Sequence, residues 1–229
     1  MNARIQRLRR ESFEATPRLS IERALIATEF YQKNQGKHAT PVLRALLFKE
    51  LCTKKTIYIG GDELIVGERG PLPKSVSTFP ELTCHTAEDL RILNDRAMTS
   101  FKIADADIDR YAEEVVPFWQ GRSMRDRVFS QVPEAWTKAY QAGLFTEFME
   151  QRAAGHTTLD GIIYQKGMLD FKKDIAQARA RLDYLEDKEA VEKAEELKAM
   201  DIACDAAIAF AERHADLAAD MAANEKDPQ

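Results

Sequence analysis

Apolar residues recur along this chain at the three- and four-residue spacing of amphipathic helices, broken only by glycine, proline or short polar stretches. Segment 2–13 is polar and predicts a short surface helix. Residues 16–20 break it. Ser20 can cap the next helix, with Arg23 rather than glutamate at the third helical position. Over 21–35 the apolar-face positions are Ile21, Ala24, Leu25, Thr28 and Tyr31, and Gly36 closes that helix. Pro41 is placed to start another, continued by Val42, Ala45, Leu46, Lys49 and Leu51.

The pattern then changes period. Thr56-Ile57-Tyr58-Ile59 and Leu64-Ile65-Val66 flank Gly60-Gly61-Asp62, which predicts two short strands or extended segments around a turn. Residues 69–83 hold Pro71, Pro73 and Pro80 and predict a long loop. Helical spacing returns over 86–96 and 105–120, with Ile108, Tyr111, Ala112, Val115 and Val116 on one face and a kink expected at Pro117. Pro133 starts a helix through Ala142. Long helices are predicted over 162–185 and 188–223. The last has Ala199, Ile202, Ala203, Ala206, Ile208, Phe210 and Ala211 toward the core. The expected fold class is mainly α, with one or two short strands.

Composition narrows the function. The 229 residues are 45% hydrophobic and 31% charged, with a net charge of −5. That balance suits a soluble globular chain, and its interleaved charges do not make a nucleic-acid surface. The densest basic group, Arg4, Arg7, Arg9 and Arg10, reads as a solvated helix face. No apolar run approaches the ~20 residues of a membrane span, and no apolar stretch follows the basic start, so a cytoplasmic location is expected.

Cys52, Cys84 and Cys204 are three, far apart, and form no C-x-x-C pair, so neither a disulfide framework nor a thiolate metal site is expected. Cys84 and His85 are adjacent and lack a third ligand nearby, so His85 reads as part of the next helix's capping region. Cys52 and Cys204 lie on apolar helical faces and should be buried. Asp62, Glu63 and Glu68 read as a structural turn in preference to an acid–base pair.

The segment Leu144-Phe145-Thr146-Glu147-Phe148-Met149-Glu150-Gln151-Arg152-Ala153-Ala154-Gly155-His156-Thr157 carries the candidate chemistry. A neutral imidazole can hydrogen-bond a hydroxyl and an imidazolium can protonate it, and Gly155 lets a ligand approach the backbone. From the residues alone, His156 reads in preference as a loop histidine with a satisfied hydrogen bond. Phe145 and Phe148 at i and i+3 would share one side of a helical turn, which is also ordinary core packing. Glu147 and Glu150 could orient the imidazole or pair with Arg152.

With Glu63-Leu64-Ile65-Val66-Gly67-Glu68, this segment resembles the N-terminal portion of the glycyl radical enzymes, the pyruvate formate-lyase superfamily. The resemblance runs from Ser20-Ile21-Glu22-Arg23-Ala24 to Asp201-Ile202-Ala203-Cys204-Asp205. Within the superfamily it is strongest to the trans-4-hydroxy-L-proline dehydratases. It implies that 1–229 forms the helical outer layer of a ten-stranded β/α barrel. It implies a catalytic residue, His156, placed against the eliminated hydroxyl, and Phe148 as a pocket wall and substrate contact. Choline-specific relatives carry polar residues at these positions, and the sulfonate lyases carry glutamine in place of His156. Ala154 departs from the proline expected in the closest dehydratases.

The resemblance further implies a small-molecule substrate, a radical S-adenosylmethionine iron–sulfur activating enzyme as partner, the remainder of the barrel, a possible homodimer and an anaerobic host. No cofactor or metal is expected on this chain. The catalytic cysteine context Gly-Cys-x-Glu and the C-terminal glycine loop are absent, since Cys52, Cys84 and Cys204 are followed by Thr53-Lys54, His85-Thr86 and Asp205-Ala206. The chain is therefore expected to be a fragment that stops at an interhelical turn and is inactive alone. The alternatives are a glycyl radical lyase of another small substrate, acting on a diol, in formate/acetyl transfer or in C–S/C–N cleavage, and a non-catalytic helical binding protein. The latter would expose an apolar patch, with Ile202 and Phe210 as candidates.

Overall fold

The computed structural model describes residues 2–145 and 160–225. Ten α-helices and two short strands account for most of them. The helices are α1 (Ala3–Glu14), α2 (Glu22–Asn34), α3 (Thr40–Lys54), α4 (Ala87–Asp95), α5 (Asp105–Glu114), α6 (Val116–Trp119), α7 (Met124–Phe129), α8 (Glu134–Gln141), α9 (Met168–Ala180) and α10 (Ala190–Asn224). The strands β1 (Arg18–Ser20) and β2 (Ser75–Ser77) pair as a two-stranded sheet. The chain divides into two compact units. One comprises 1–16, 29–75 and 159–229, the other 17–28 and 76–158.

The first unit is organised by α10, whose 35 residues would extend roughly 50 Å. It packs along α3 and α9. Small side chains make that possible: Val42, Ala45 and Ala199 form a buried cluster that Leu46 and Ile202 flank. Ala206 is fully enclosed, and Cys52 and Cys204 are buried as expected. Charge reinforces the seam. Lys172 on α9 reaches Asp201 at 2.7 Å and Asp205 at 2.8 Å on α10, and Asp205 also takes Lys49 of α3 at 3.2 Å. Arg213 donates to the carbonyls of Cys52 and Lys55 at 2.7 and 2.9 Å, so it satisfies the last turn of α3 from outside. His214 is buried too, its Nδ1 2.8 Å from the Phe210 carbonyl. Ala211, expected to face inward, is exposed.

The second unit encloses Ile21, Ala24, Leu90, Ile108, Tyr111, Val115 and Trp119. Thr28, buried on α2, donates to the Ala24 carbonyl at 2.7 Å and accepts the Trp119 indole N–H at 2.9 Å. Its α4 begins with a full capping box. Thr86 Oγ1 accepts from the Asp89 N–H, and the Asp89 carboxylate accepts from the Thr86 N–H. His85 directly precedes that cap.

Several boundaries differ from the sequence reading, each for a local reason. Residues 56–59 and 64–66 are not strands, and side chains take backbone groups at the turn between them and just beyond them. The Glu63 carboxylate accepts the Gly60 N–H at 2.9 Å, and Lys55 Nζ donates to the carbonyls of Glu68 and Arg69 at 3.0 and 3.2 Å. The strands lie instead within the expected break at 16–20 and the expected loop at 69–83. The helix expected over 105–120 is two helices meeting at Val115, with Pro117 in the first turn of α6 where its missing N–H costs nothing. The helix expected over 162–185 is a 3-10 turn (Asp160–Tyr164) followed by α9. Asp170 draws in the Gly167 N–H at 3.1 Å to start α9, and Asp183 takes the N–H groups of Leu185 and Glu186 at 2.9 and 3.1 Å beyond its end. Helix α7, absent from the sequence reading, is nucleated by buried Ser123, which caps the Asp126 N–H.

Candidate functional site

The site suggested by the sequence begins just after α8, and the structure fixes how the chain leaves that helix. Gly143 has φ +73°, the left-handed conformation that glycine adopts without a Cβ penalty. Its N–H donates to the Tyr140 carbonyl at 2.9 Å, and the Leu144 N–H donates to the Ala139 carbonyl at 3.1 Å. These two bonds make a Schellman termination, which turns the chain back over the helix it has just left. Phe145 therefore lies on the aromatic face of α8, 4.8 Å from the Trp136 ring and 6.2 Å from the Tyr140 ring.

Trp136 and Tyr140, one turn apart, stack at 5.7 Å with only 5° between their planes. Phe129 meets both edge-on at 5.2 and 5.1 Å. Arg125 lies over the Phe129 ring at 4.2 Å and donates to Tyr140 Oη at 3.2 Å. The backbone N–H groups of Met124 and Arg125 donate to the carbonyls of Glu81 and Leu82, and Glu81 is the carboxylate partner of Arg23, whose guanidinium lies 3.9 Å over Phe79. An unbroken series of contacts thus connects α2, the 79–82 turn, α7 and α8 to Phe145.

His156 and Phe148, together with Glu147, Glu150, Arg152 and Ala154, lie outside the described residues. The structure does describe the column that precedes them, which the sequence reading missed apart from Phe145. The signal was present: Trp136 and Tyr140 at i, i+4 on one helix face, and Gly143 placed to end that helix.

Around Cys84 the chemistry is subdued. Its thiol is pushed up to about 11, first by burial and then by the carboxylates of Asp126 and Asp89. Tyr111, fully enclosed nearby, is shifted upward by burial above all. Burial also raises the thiols of Cys52 and Cys204. None of the three sulfurs fits a nucleophilic role. Cys52 and Cys204 are packed inside helix seams, and Cys84 stays protonated over the ordinary pH range. Among the described residues, no group of three or more His, Cys, Asp and Glu side chains is placed to hold a metal ion.

At the Glu63–Glu68 motif, Arg7 grips the Asp62 carboxylate through two nitrogens at 2.6 and 2.5 Å, which holds that carboxyl below its usual range. An Ala in place of Gly60 would bring its Cβ to 3.0 Å from Glu63 Cδ. The carboxylates of Asp62 and Glu63 hold the turn, as expected, and Leu64 and Ile65 stand 80% and 92% exposed. Ile202 and Phe210, the expected patch, are instead half-buried.

Comparison with known proteins gives this arrangement its family. The pyruvate formate lyase-like family model matches residues 1–229. The chain belongs to that family. It is 46% identical over 224 residues to trans-4-hydroxy-L-proline dehydratase of Clostridioides difficile, covering 98% of this chain and 28% of that protein. It is 32% identical over 231 residues to isethionate sulfite-lyase of Oleidesulfovibrio alaskensis, covering 95% of this chain and 28% of that one. The crystal structure of the C. difficile hydroxyproline dehydratase with trans-4-hydroxy-L-proline bound superimposes with a TM-score of 0.91 at 45% identity, over 99% of this chain and 29% of that one. The fold is that of the N-terminal helical portion of a glycyl radical enzyme. This pyruvate formate lyase-like chain spans somewhat over a quarter of the length of these relatives. No described helix is long and apolar enough to cross a membrane.

Proposed function

We propose that this chain is the N-terminal part of a glycyl radical dehydratase that removes water from trans-4-hydroxy-L-proline to give a pyrroline-5-carboxylate, in the cytoplasm of an anaerobic host. The observation that carries the reading is the margin between relatives: 46% identity to the hydroxyproline dehydratase against 32% to the sulfite-lyase, over nearly the same residues. Phe148 packs its ring against the pyrrolidine. His156 hydrogen-bonds the C4 hydroxyl and gives its imidazolium proton to it as the C–O bond breaks, so that water departs. A glutamate from outside these residues assists. The opening hydrogen-atom abstraction also belongs to groups outside these residues, and no step passes through Cys52, Cys84 or Cys204. The radical is installed on the complete enzyme by an S-adenosylmethionine iron–sulfur activase, and these 229 residues alone do not turn over substrate.

The test is anaerobic activation of the polypeptide encoded by the whole gene, followed by incubation with trans-4-hydroxy-L-proline or isethionate. Dehydration of the first, lost in His156→Ala, is expected. Sulfite release from isethionate without dehydration of hydroxyproline would refute the substrate. Turnover by residues 1–229 alone would refute the claim that the chain depends on the remainder of the barrel.

A further inference from the structure

We propose that the turn carrying Leu64, Ile65 and Val66 is an interaction surface, and that its occupant is the remainder of the same polypeptide, beyond residue 229. This assignment rests on the reading of the chain as one part of a longer enzyme. Every residue of the surface belongs to the unit of 1–16, 29–75 and 159–229.

Single exposed apolar side chains are ordinary on protein surfaces. Three in a row are not, unless something covers or uses them. Leu64 is 80% exposed, Ile65 92% and Val66 41%. Nor is the run a loose loop. Its near side is pinned by Arg7, which grips the Asp62 carboxylate, and by Arg4, which donates to the Asp62 carbonyl at 2.8 Å. Glu63 adds its bond from the Gly60 N–H. The far side is pinned by Lys55, which donates to the carbonyls of Glu68 and Arg69. The apolar tip is thus held out between two anchored ends. Side chains presented in this way lose little freedom when they are covered, which is the property of an interface anchor.

Two observations select the occupant. The C. difficile hydroxyproline dehydratase matches 99% of this chain with only 29% of its own, so the other 71% of that chain lies outside the match. The tip is also joined to α10. Arg213 donates to the Lys55 carbonyl at 2.9 Å, and Lys55 Nζ, which holds the far side of the tip, lies 5.2 Å over the Phe210 ring. The tip is therefore fixed to the helix from which the remainder of the polypeptide continues. Covalent continuity keeps that remainder at a high effective concentration beside the tip, an advantage that a second copy lacks.

Two measurements on the polypeptide encoded by the whole gene test this. Ile65→Cys is treated with N-ethylmaleimide and read by mass spectrometry on the peptide that carries position 65. In a protein with intact far-UV circular dichroism, it should label about 100-fold more slowly than the same variant in urea. Leu64→Cys should be protected likewise. Ile65→p-benzoylphenylalanine, irradiated, should cross-link to a peptide beyond residue 229, in a product that migrates as one chain on a denaturing gel. Labelling of position 65 at the rate found in urea would overturn the proposal. So would a cross-link between two copies, or one confined to residues 1–229. Neither measurement needs the radical or a substrate. Protection of position 65 in a wild-type background inert toward trans-4-hydroxy-L-proline would sink the functional reading alone, and free labelling in an active enzyme would sink this surface alone.

Discussion

Replacing Lys172 by methionine tests how far charge contributes to the α3–α9–α10 seam. The ammonium is 2.7 Å from Asp201 and 2.8 Å from Asp205, and its side chain keeps 27% of its exposure. Partly solvated pairs of this kind contribute about 0.2–1 kcal/mol each. Removing the cation also leaves Asp201 and Asp205 facing each other at i, i+4 on α10, a like-charge pair that costs about 0.2–0.5 kcal/mol. Lys172→Met should therefore destabilise the chain by about 1–1.5 kcal/mol at pH 7, or about 2–6 °C in Tm. The pH dependence has a definite sign. Lys172, and then Lys49, hold the Asp205 carboxyl below its usual range. A depressed carboxylate contributes stability above its unfolded value of about 3.9, and that contribution is lost as pH falls through the folded value. The gap between wild type and Lys172→Met should thus be full at pH 7 and narrower at pH 3. Urea unfolding followed by far-UV circular dichroism at both pH values measures it. A gap below about 0.3 kcal/mol at pH 7, or one that persists undiminished in acid, would refute the reasoning.

Two further outcomes follow from local geometry. Gly70→Ala would place a Cβ 2.4 Å from Ser75 Oγ and 2.5 Å from Ser75 Cβ, with Ser75 itself buried, so a loss of about 1–3 kcal/mol is expected in thermal melts. Gly61→Ala, which meets nothing within 4 Å, is the control. Cys84, with its thiol raised to about 11, should react with iodoacetamide at a rate that keeps climbing well beyond pH 9, read by peptide mass spectrometry. A plateau at or below pH 9 would contradict that. Because the folded value is the higher one, the stability linked to this thiol is fully present below about 8.5 and is lost as pH rises toward 11.

The helices with a long apolar period were legible before any coordinates. Ile21 just before α2, and Ala24 and Thr28 on it, turn inward, and Val42, Ala45 and Ala199 meet where the spacing put them. What stayed hidden was set by single side chains competing for backbone groups. The 56–66 region has the β-branched composition of strands, yet Glu63 takes the Gly60 N–H within it and Lys55 the carbonyls of Glu68 and Arg69 just beyond it. Asp183 shortens a helix that composition alone would extend. For the candidate site, the family resemblance supplied His156 and Phe148, and periodicity could not have done so. The column that leads to them depends on Gly143 taking a left-handed φ, a conformation that glycine permits but does not announce.

The pairing of α3 with α10 has a consequence for how the protein is made. Lys49 and Asp205, partners across that seam, are 156 residues apart. At about 5–20 residues per second of synthesis, α3 waits roughly 8–30 s for the helix that covers it. Most of that interval is taken up by residues 76–158, which belong to the other unit and are complete first. On the ribosome the unit of 17–28 and 76–158 therefore closes early. Val42, Ala45 and Leu46 stay uncovered until α10 emerges, which makes the nascent α3 a natural client for a chaperone that holds apolar helices.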